Sequence, residues 1–111
     1  PLSIVASRSH LTPETAAFID RFPEADTVSV GSSLKFCLLA SGEADLYPRF
    51  GRTMEWDTAA GDAVLRAAGG RMRRPDGGPF LYGKRGQADD VDFANPSFVA
   101  DVGEAVELFR R

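Results

Sequence analysis

Short strand-like segments alternate with helix-like segments along this 111-residue chain, and that alternation limits the folds open to it. Helices are predicted over residues 13–21, 34–41, 56–68 and 102–109, the first with Thr12 as its N-cap and Pro13 at its first position. Strands are predicted at residues 2–6, 27–30, 44–47, 71–73, 80–82 and 97–100. We therefore expect a single α/β domain over residues 1–111, with a largely parallel mixed sheet flanked by helices.

The composition excludes several classes of protein. No apolar run reaches the roughly 18–20 residues that cross a bilayer, so a membrane span is not expected. A net charge of −3 argues against binding of a nucleic-acid polymer. Cys37 is the single cysteine, so disulfides and Cys-rich zinc sites are excluded, and its apolar helix predicts a buried, inert thiol. We expect a cytoplasmic location, with a peripheral position at the inner face of the cell membrane as the alternative.

Residues 54–61, MEWDTAAG, carry the strongest signal for chemistry because Asp57 lies at a helix start. An acid there either caps the helix and offsets its dipole, or presents a carboxylate oxygen to a hard cation. Gly61 inside the helix predicts close approach of a neighbouring element. The apolar residues of this helix fall on one nearly all-alanine face that we expect to pack against a neighbour: Ala59, Ala60, Ala63, Val64, Ala67 and Ala68.

The start of the second helix, residues 31–35 (GSSLK), is a candidate anion site. Here a strand ends in a glycine, and two hydroxyl residues and a helix start follow it. Free backbone N–H groups at such a helix start point towards one place. Lys35 in the first turn opposes the helix dipole, and a bound phosphate would reverse that cost. The alternative is that Ser32 is an ordinary N-cap and Lys35 a solvated side chain.

Two further segments follow predicted strands and are expected at the same edge of the sheet. Residues 7–10 (SRSH) include His10, which could contact a base or a phosphate. Arg49 follows the rigid Pro48 and suits bidentate contact with a phosphate or a sugar. Residues 71–74 hold three arginines that we interpret as a solvated hairpin. There is no Walker loop, dinucleotide glycine triad or serine-hydrolase elbow.

Taken together, these segments resemble the inositol monophosphatase superfamily of Mg-dependent phosphomonoesterases. The superfamily signature is similar to residues 56–61 (WDTAAG) followed by residues 67–70 (AAGG). Within it, the 3′(2′),5′-bisphosphate nucleotidase branch resembles residues 7–10 (SRSH), 31–36 (GSSLKF), 44–49 (ADLYPR) and 55–57 (EWD). The resemblance runs from about residue 5 to residue 70 and implies the C-terminal domain of the sugar-phosphatase fold.

The resemblance also implies roles for particular residues. Asp57 matches a metal-ligating aspartate, and the substrate-binding positions of the branch match His10, Ser32, Lys35 and Arg49. The implied reaction is Mg²⁺-assisted hydrolysis of the 3′-phosphate of 3′-phosphoadenosine 5′-phosphate, which gives AMP and phosphate.

The sequence departs from the family pattern because it lacks the Glu-Glu pair and the Asp-Pro-x-Asp-Gly-Thr/Ser motif of the other half. The acidic residues 89, 90 and 92 lie in the wrong order and are interpreted as a solvated loop. We therefore expect the C-terminal half of a longer two-domain phosphatase, inactive without the N-terminal metal-binding half. The alternatives are an inositol or fructose phosphatase, or a non-catalytic nucleotide-binding or interaction domain. A homo-oligomer is a further alternative, because removing a companion domain would expose apolar surface.

Overall fold

The computed structural model describes residues 2–7, 12–30 and 34–102, which form seven strands and three helices. Their bounds are β1 Ser3–Ser7, α1 Pro13–Ile19, β2 Asp26–Val30, α2 Leu34–Ala40, β3 Leu46–Arg49, β4 Thr53–Met54, α3 Glu55–Ala67, β5 Gly70–Arg73, β6 Ala94–Asn95 and β7 Phe98–Val102. The predicted helix at residues 102–109 lies outside the described residues, apart from Val102, which ends β7.

The main sheet has the strand order β2-β1-β3-β7-β5. β1 pairs in parallel with β2 and β3, whereas β7 runs antiparallel to both β3 and β5. The predicted α/β class and mixed sheet are therefore confirmed, with two parallel and two antiparallel strand pairs. A separate two-stranded sheet joins β4 to β6.

The two faces of the main sheet carry two different cores, because successive strand residues point to opposite sides. Ile4, Leu46 and Val99 belong to the core that includes Phe18 of α1. Their neighbours along the strands, such as Val5, Tyr47 and Phe98, belong to the core that includes residues of α2 and α3. The helix α1 therefore covers one face of the sheet, and α2 and α3 cover the other.

Local signals explain α1 well. The hydroxyl of Thr12 accepts a hydrogen bond from the backbone N–H of Thr15 at 3.2 Å, and Pro13 occupies the first turn, as predicted.

The predicted strand at residues 80–82 is wrong, because only Pro79 forms an isolated bridge, with Arg73. Phe80 instead packs its ring against Phe98, with the ring centroids 5.5 Å apart.

The alanine-rich face of α3, which we expected to pack against a neighbour, is exposed in the described part of the chain. The face that α3 buries consists mainly of polar residues: Glu55, Thr58, Gly61, Asp62 and Leu65. Hydrogen bonds explain this, because the Asp62 carboxylate accepts from the hydroxyl of Tyr82 at 2.7 Å and the amide of Asn95 donates to Thr58 at 3.0 Å. The close approach predicted at Gly61 is confirmed, since a Cβ there would lie 2.4 Å from Cδ2 of Phe36.

Two smaller predictions about single residues are wrong. Cys37 is exposed, because α2 turns it away from the sheet. Arg73 is buried rather than solvated, and its guanidinium forms an ion pair with the fully buried Asp101 on β7 at 3.1 Å. Separately, none of the described helices has the length and apolar content that crossing a bilayer requires.

Candidate active site

Lys35, in the first turn of α2, is a buried cation that has no acidic partner within residues 2–7, 12–30 and 34–102. Its side chain is only 3% exposed, and Nζ donates to the carbonyl of Val30 at 3.1 Å. Nζ also lies 5.3 Å from the ring centroid of Tyr47. Burial, and next the charge of Arg49, lower the pKa of Lys35 below its ordinary value of 10.5. An anion bound here would relieve both effects.

Arg49 lies at the end of β3, two residues after Tyr47 and therefore on the same side of the strand. Its Nε is buried, and within the described part of the chain it has no hydrogen-bond partner. Burial raises the pKa of the Tyr47 phenol, while the charge of Arg49 and a hydrogen bond from it oppose that shift. The phenol therefore steadies a guanidinium that keeps unused hydrogen-bonding capacity.

Asp57 lies in the first turn of α3, with its side chain exposed. Oδ2 accepts a hydrogen bond from the backbone N–H of Met54 at 2.9 Å, so the predicted helix-capping geometry is present. No described residue donates to Oδ1. The negative charge of Asp57 also raises the pKa of Tyr47, which places the carboxylate within electrostatic reach of that phenol. The capping role and a cation-binding role are thus compatible.

Three of the predicted site residues, Lys35, Arg49 and Asp57, are therefore electrostatically connected through Tyr47. We call these four residues the α2–β3–α3 site. Sequence reasoning did not assign Tyr47 to the site, although strand alternation places it beside Arg49. The other two predicted residues, His10 and Ser32, lie outside the described residues.

The described residues provide few candidate ligands for a metal ion. Within the residues that the structure describes, there is no group of three or more His, Cys, Asp or Glu side chains that could hold one. Asp57 offers a hard carboxylate oxygen of the kind that Mg²⁺ prefers, but Mg²⁺ takes six ligands. The described residues therefore fit one protein ligand of a magnesium site and not a complete site.

A second polar cluster supports the start of α3, and sequence reasoning missed it. Glu55 accepts hydrogen bonds from Nζ of Lys84 at 2.6 Å and from the backbone N–H groups of Gly83 and Lys84 at 2.7 and 3.0 Å. Burial opposes ionisation of Glu55, but these hydrogen bonds lower its pKa from 4.5 to about 2. We call this group the Glu55–Lys84 cluster.

Asn95 on β6 also supports the start of α3. Its side-chain amide donates to the hydroxyls of Thr53 and Thr58, both at 3.0 Å, and to the carbonyl of Met54 at 2.9 Å. Since Met54 also donates to Asp57, these bonds fix the backbone that orients the candidate metal ligand.

Comparisons with known proteins agree on one family. A sequence model of the inositol monophosphatase family matches residues 2–102. The chain is 48% identical over 98 residues to the 3′(2′),5′-bisphosphate nucleotidase CysQ of Escherichia coli, and the match covers 88% of this chain and 38% of that protein. An uncharacterized protein of Rhizobium leguminosarum bv. phaseoli, from the pss 5′ region, is 71% identical over 72 residues, which are 65% of this chain and 76% of that protein.

A solved structure shows the same relation in three dimensions. The crystal structure of CysQ from Bacteroides thetaiotaomicron, described as a bacterial member of the inositol monophosphatase family, superposes with a TM-score of 0.75 at 44% identity. It matches 91% of this chain but only 37% of the Bacteroides chain. The chain therefore spans about two fifths of the length of these CysQ relatives.

Proposed function

Because this chain belongs to the inositol monophosphatase family, we propose that it is part of a Mg²⁺-dependent 3′(2′),5′-bisphosphate nucleotidase. The substrate is 3′-phosphoadenosine 5′-phosphate, and the products are AMP and phosphate. In this reaction water attacks phosphorus, the bond to the 3′ oxygen breaks, and that oxygen takes up a proton. The similarity to the nucleotidases named CysQ supports this choice over other phosphatases of the family.

The observation that carries the proposal is the pair of cations Lys35 and Arg49. Lys35 is buried with no acidic partner in the described part of the chain, and Arg49 is close enough to lower its pKa further. Two neighbouring cations of this kind suit a phosphate dianion, with Arg49 as a planar donor and Lys35 as a point charge. Tyr47 is the positioning residue that holds the guanidinium in place. A bisphosphate nucleotide supplies a matching ligand.

Asp57 is the residue of this chain that would hold Mg²⁺. When bound, Mg²⁺ polarises the phosphoryl oxygen, activates water and stabilises the leaving oxygen. The task of this chain's own residues is to bind and orient the substrate: Lys35 and Arg49 fix a phosphate group, and the Glu55–Lys84 cluster keeps the start of α3 rigid. His10 and Ser32 remain proposed substrate-binding residues on the basis of the resemblance.

Further proposals about ligands, partners and location follow from this function. We propose that the other Mg²⁺ ligands come from an N-terminal half of a longer polypeptide, so that the chain alone is inactive. The partners are then that half and a small nucleotide, and the location is the cytoplasm. A homo-oligomer stays a prediction.

The test uses a chimera in which this chain replaces the matched 98 residues of E. coli CysQ. We expect Mg²⁺-dependent release of phosphate from 3′-phosphoadenosine 5′-phosphate, and a loss of kcat/KM of about 100-fold or more in Lys35→Met, on the scale of a lost buried charge contact. The control is Arg71→Met, which removes an exposed positive charge from β5.

Three results would contradict the proposal. The first is turnover that needs no Mg²⁺, and the second is equal activity of Lys35→Met and the unsubstituted chimera. The third is a higher kcat/KM for inositol monophosphate than for the nucleotide, which would instead support the inositol phosphatase alternative. Robust turnover by the 111-residue chain alone would refute the claim that it is inactive.

A further inference from the structure

The backbone that follows β3 is held by hydrogen bonds from the start of α1. The ladder between β3 and β7 reaches its last pair at Arg49 and Phe98. The backbone N–H and C=O of the next residue, Phe50, therefore need other partners. The N–H of Phe50 donates to Oγ1 of Thr15 at 3.2 Å, and its C=O accepts from the hydroxyl of Thr12 at 2.8 Å.

These hydrogen bonds form a closed ring. Oγ1 of Thr12 and Oγ1 of Thr15 lie 3.0 Å apart. A threonine hydroxyl has one proton, and that of Thr12 is directed at the carbonyl of Phe50, so Thr15 is the donor of the pair. Hydrogen bonds that run in one direction strengthen one another, and Thr15 is only 3% exposed to water. We call the two threonines and the backbone of Phe50 the threonine ring.

The neighbours of the threonine ring restrict the same stretch of chain. The phenyl group of Phe50 packs against Phe18 of α1, with the ring centroids 5.7 Å apart. Gly51, the next residue, lies close to both Thr12 and the guanidinium of Arg49. A Cβ at Gly51 would be 3.8 Å from Cγ2 of Thr12 and 4.0 Å from Nε of Arg49. Arg49 therefore lies beside backbone whose position the threonine ring determines.

A fixed backbone matters here because the guanidinium of Arg49 needs a defined orientation. A planar guanidinium binds a phosphate through two parallel N–H bonds only when its plane faces the oxygens. Nε of Arg49 is buried, and in the described part of the chain no group accepts a hydrogen bond from it. Tyr47 shares a hydrogen bond with the guanidinium from within β3, but β3 ends at Arg49 itself. The threonine ring supplies the restraint on the other side of this residue.

We propose that Thr12 and Thr15 are positioning residues for Arg49, because their ring fixes the backbone that orients the guanidinium towards a substrate phosphate. This inference rests on the proposed function, in which Arg49 binds a phosphate group of the nucleotide. The two threonines act through the peptide groups of Phe50 and not by touching the substrate. Loss of the ring should therefore weaken substrate binding and leave the chemical step nearly unchanged.

The test uses the CysQ chimera described above, in which this chain is part of a full-length polypeptide. Thr15→Val keeps the shape of the side chain but removes the hydroxyl, so it opens the threonine ring. We expect the KM for 3′-phosphoadenosine 5′-phosphate to rise about ten-fold and kcat to fall less than about three-fold, because the lost interaction is made equally in the ground and transition states. Thr15→Ser keeps the hydroxyl and should leave KM within about two-fold of the unsubstituted chimera.

A double-mutant cycle tests whether Thr15 acts through Arg49. Arg49→Met should raise KM by itself, because it removes the guanidinium. If the threonine ring serves to position that group, Thr15→Val should change KM by less than about two-fold in the Arg49→Met background. A general effect on stability would instead change KM equally in both backgrounds.

The stability control is Ala17→Gly, at an exposed position of the same helix. Glycine weakens α1 through its low helix propensity and leaves the threonine ring intact. Ala17→Gly should therefore lower the thermal midpoint, as Thr15→Val does, yet leave KM within about two-fold of the unsubstituted chimera. Thr12→Val opens the ring at its other hydroxyl and should raise KM as Thr15→Val does, so the test does not depend on the folding of one variant.

Three outcomes would overturn the inference alone. These are an unchanged KM in both ring-opening variants while Arg49→Met raises it, an equal rise in KM in Ala17→Gly and Thr15→Val, and an effect of Thr15→Val that persists in the Arg49→Met background. An unchanged KM in Arg49→Met would instead remove the role of Arg49 in the proposed function, and the inference with it.

Discussion

The two lysines of this chain, Lys35 and Lys84, lie in contrasting surroundings. Lys84 reaches the carboxylate of Glu55 at 2.6 Å and also donates to the carbonyl of Leu81 at 2.6 Å. Lys35 is more deeply buried, yet within the described residues its hydrogen-bond partner is the neutral carbonyl of Val30. The charge of Arg49, which has the same sign, lowers the pKa of Lys35 further.

Under the proposed function, this difference distinguishes a lysine that stabilises the fold, Lys84, from a lysine that binds substrate, Lys35. A buried charge that is paired and hydrogen-bonded belongs to the fold, and removing one partner leaves the other uncompensated. A buried charge that faces another cation lowers the stability of the free protein unless an anion joins it. Such an arrangement is typical of a site whose ligand supplies the missing charge.

The largest effect on stability is expected from Lys84→Met. The substitution keeps the length of the side chain but leaves the Glu55 carboxylate with only backbone donors, so the folded state should lose a large part of the support at the start of α3. We expect the thermal midpoint of the chain to fall by about 5–10 °C. Arg71→Met removes an exposed charge and should shift the midpoint by less than about 2 °C. Equal midpoints for the two variants would mean that the Glu55–Lys84 cluster does not hold the fold.

The parts of the fold and the site that could be predicted from the sequence are those marked by local sequence signals. Thr12 and Pro13 mark a helix start within a few residues, and the position of Asp57 at a second start is equally local. These signals predict the α/β class and the three helices of the described residues, whereas the site roles of Lys35, Arg49 and Asp57 stay predictions. They also identify Lys35 as unusual, because a cation in the first turn opposes the helix dipole.

The errors arise where distant segments decide the outcome. The inner face of α3 is polar because Tyr82 and Asn95, 20 to 37 residues along the chain, supply its hydrogen bonds. Residues 80–82 have the composition of a strand, but the aromatic side chains fill space beside Phe98 and Thr58. Hydrophobic periodicity identifies an apolar face and does not say whether this domain or another covers it.

A smaller effect on stability is expected on acidification, and it tests the contribution of the paired carboxylate of Glu55. The pKa of Glu55 is lowered from 4.5 to about 2, so its unfolded form takes up a proton at a higher pH than its folded form. The stability that Glu55 contributes is therefore complete above pH 4.5 and declines as the pH falls towards 2. Urea unfolding at several pH values should show this decline, and Glu55→Gln should flatten it. Parallel curves for the two proteins between pH 4.5 and 2 would contradict the low pKa.

The smallest shift in thermal stability is expected from Lys35→Met. This variant tests whether the lysine without an acidic partner is needed for the fold. Burial and the charge of Arg49 already disfavour the ammonium group, so an apolar side chain of similar length should leave the thermal midpoint of the free chain unchanged or raise it by a few degrees. The sign also fixes a pH dependence. Because the folded pKa lies below 10.5, the unfolded state keeps its proton to higher pH, and the stability of the unsubstituted chain should rise across that interval while that of Lys35→Met does not. A fall in the midpoint as large as that of Lys84→Met would make Lys35 a structural residue and remove the main support for the anion site.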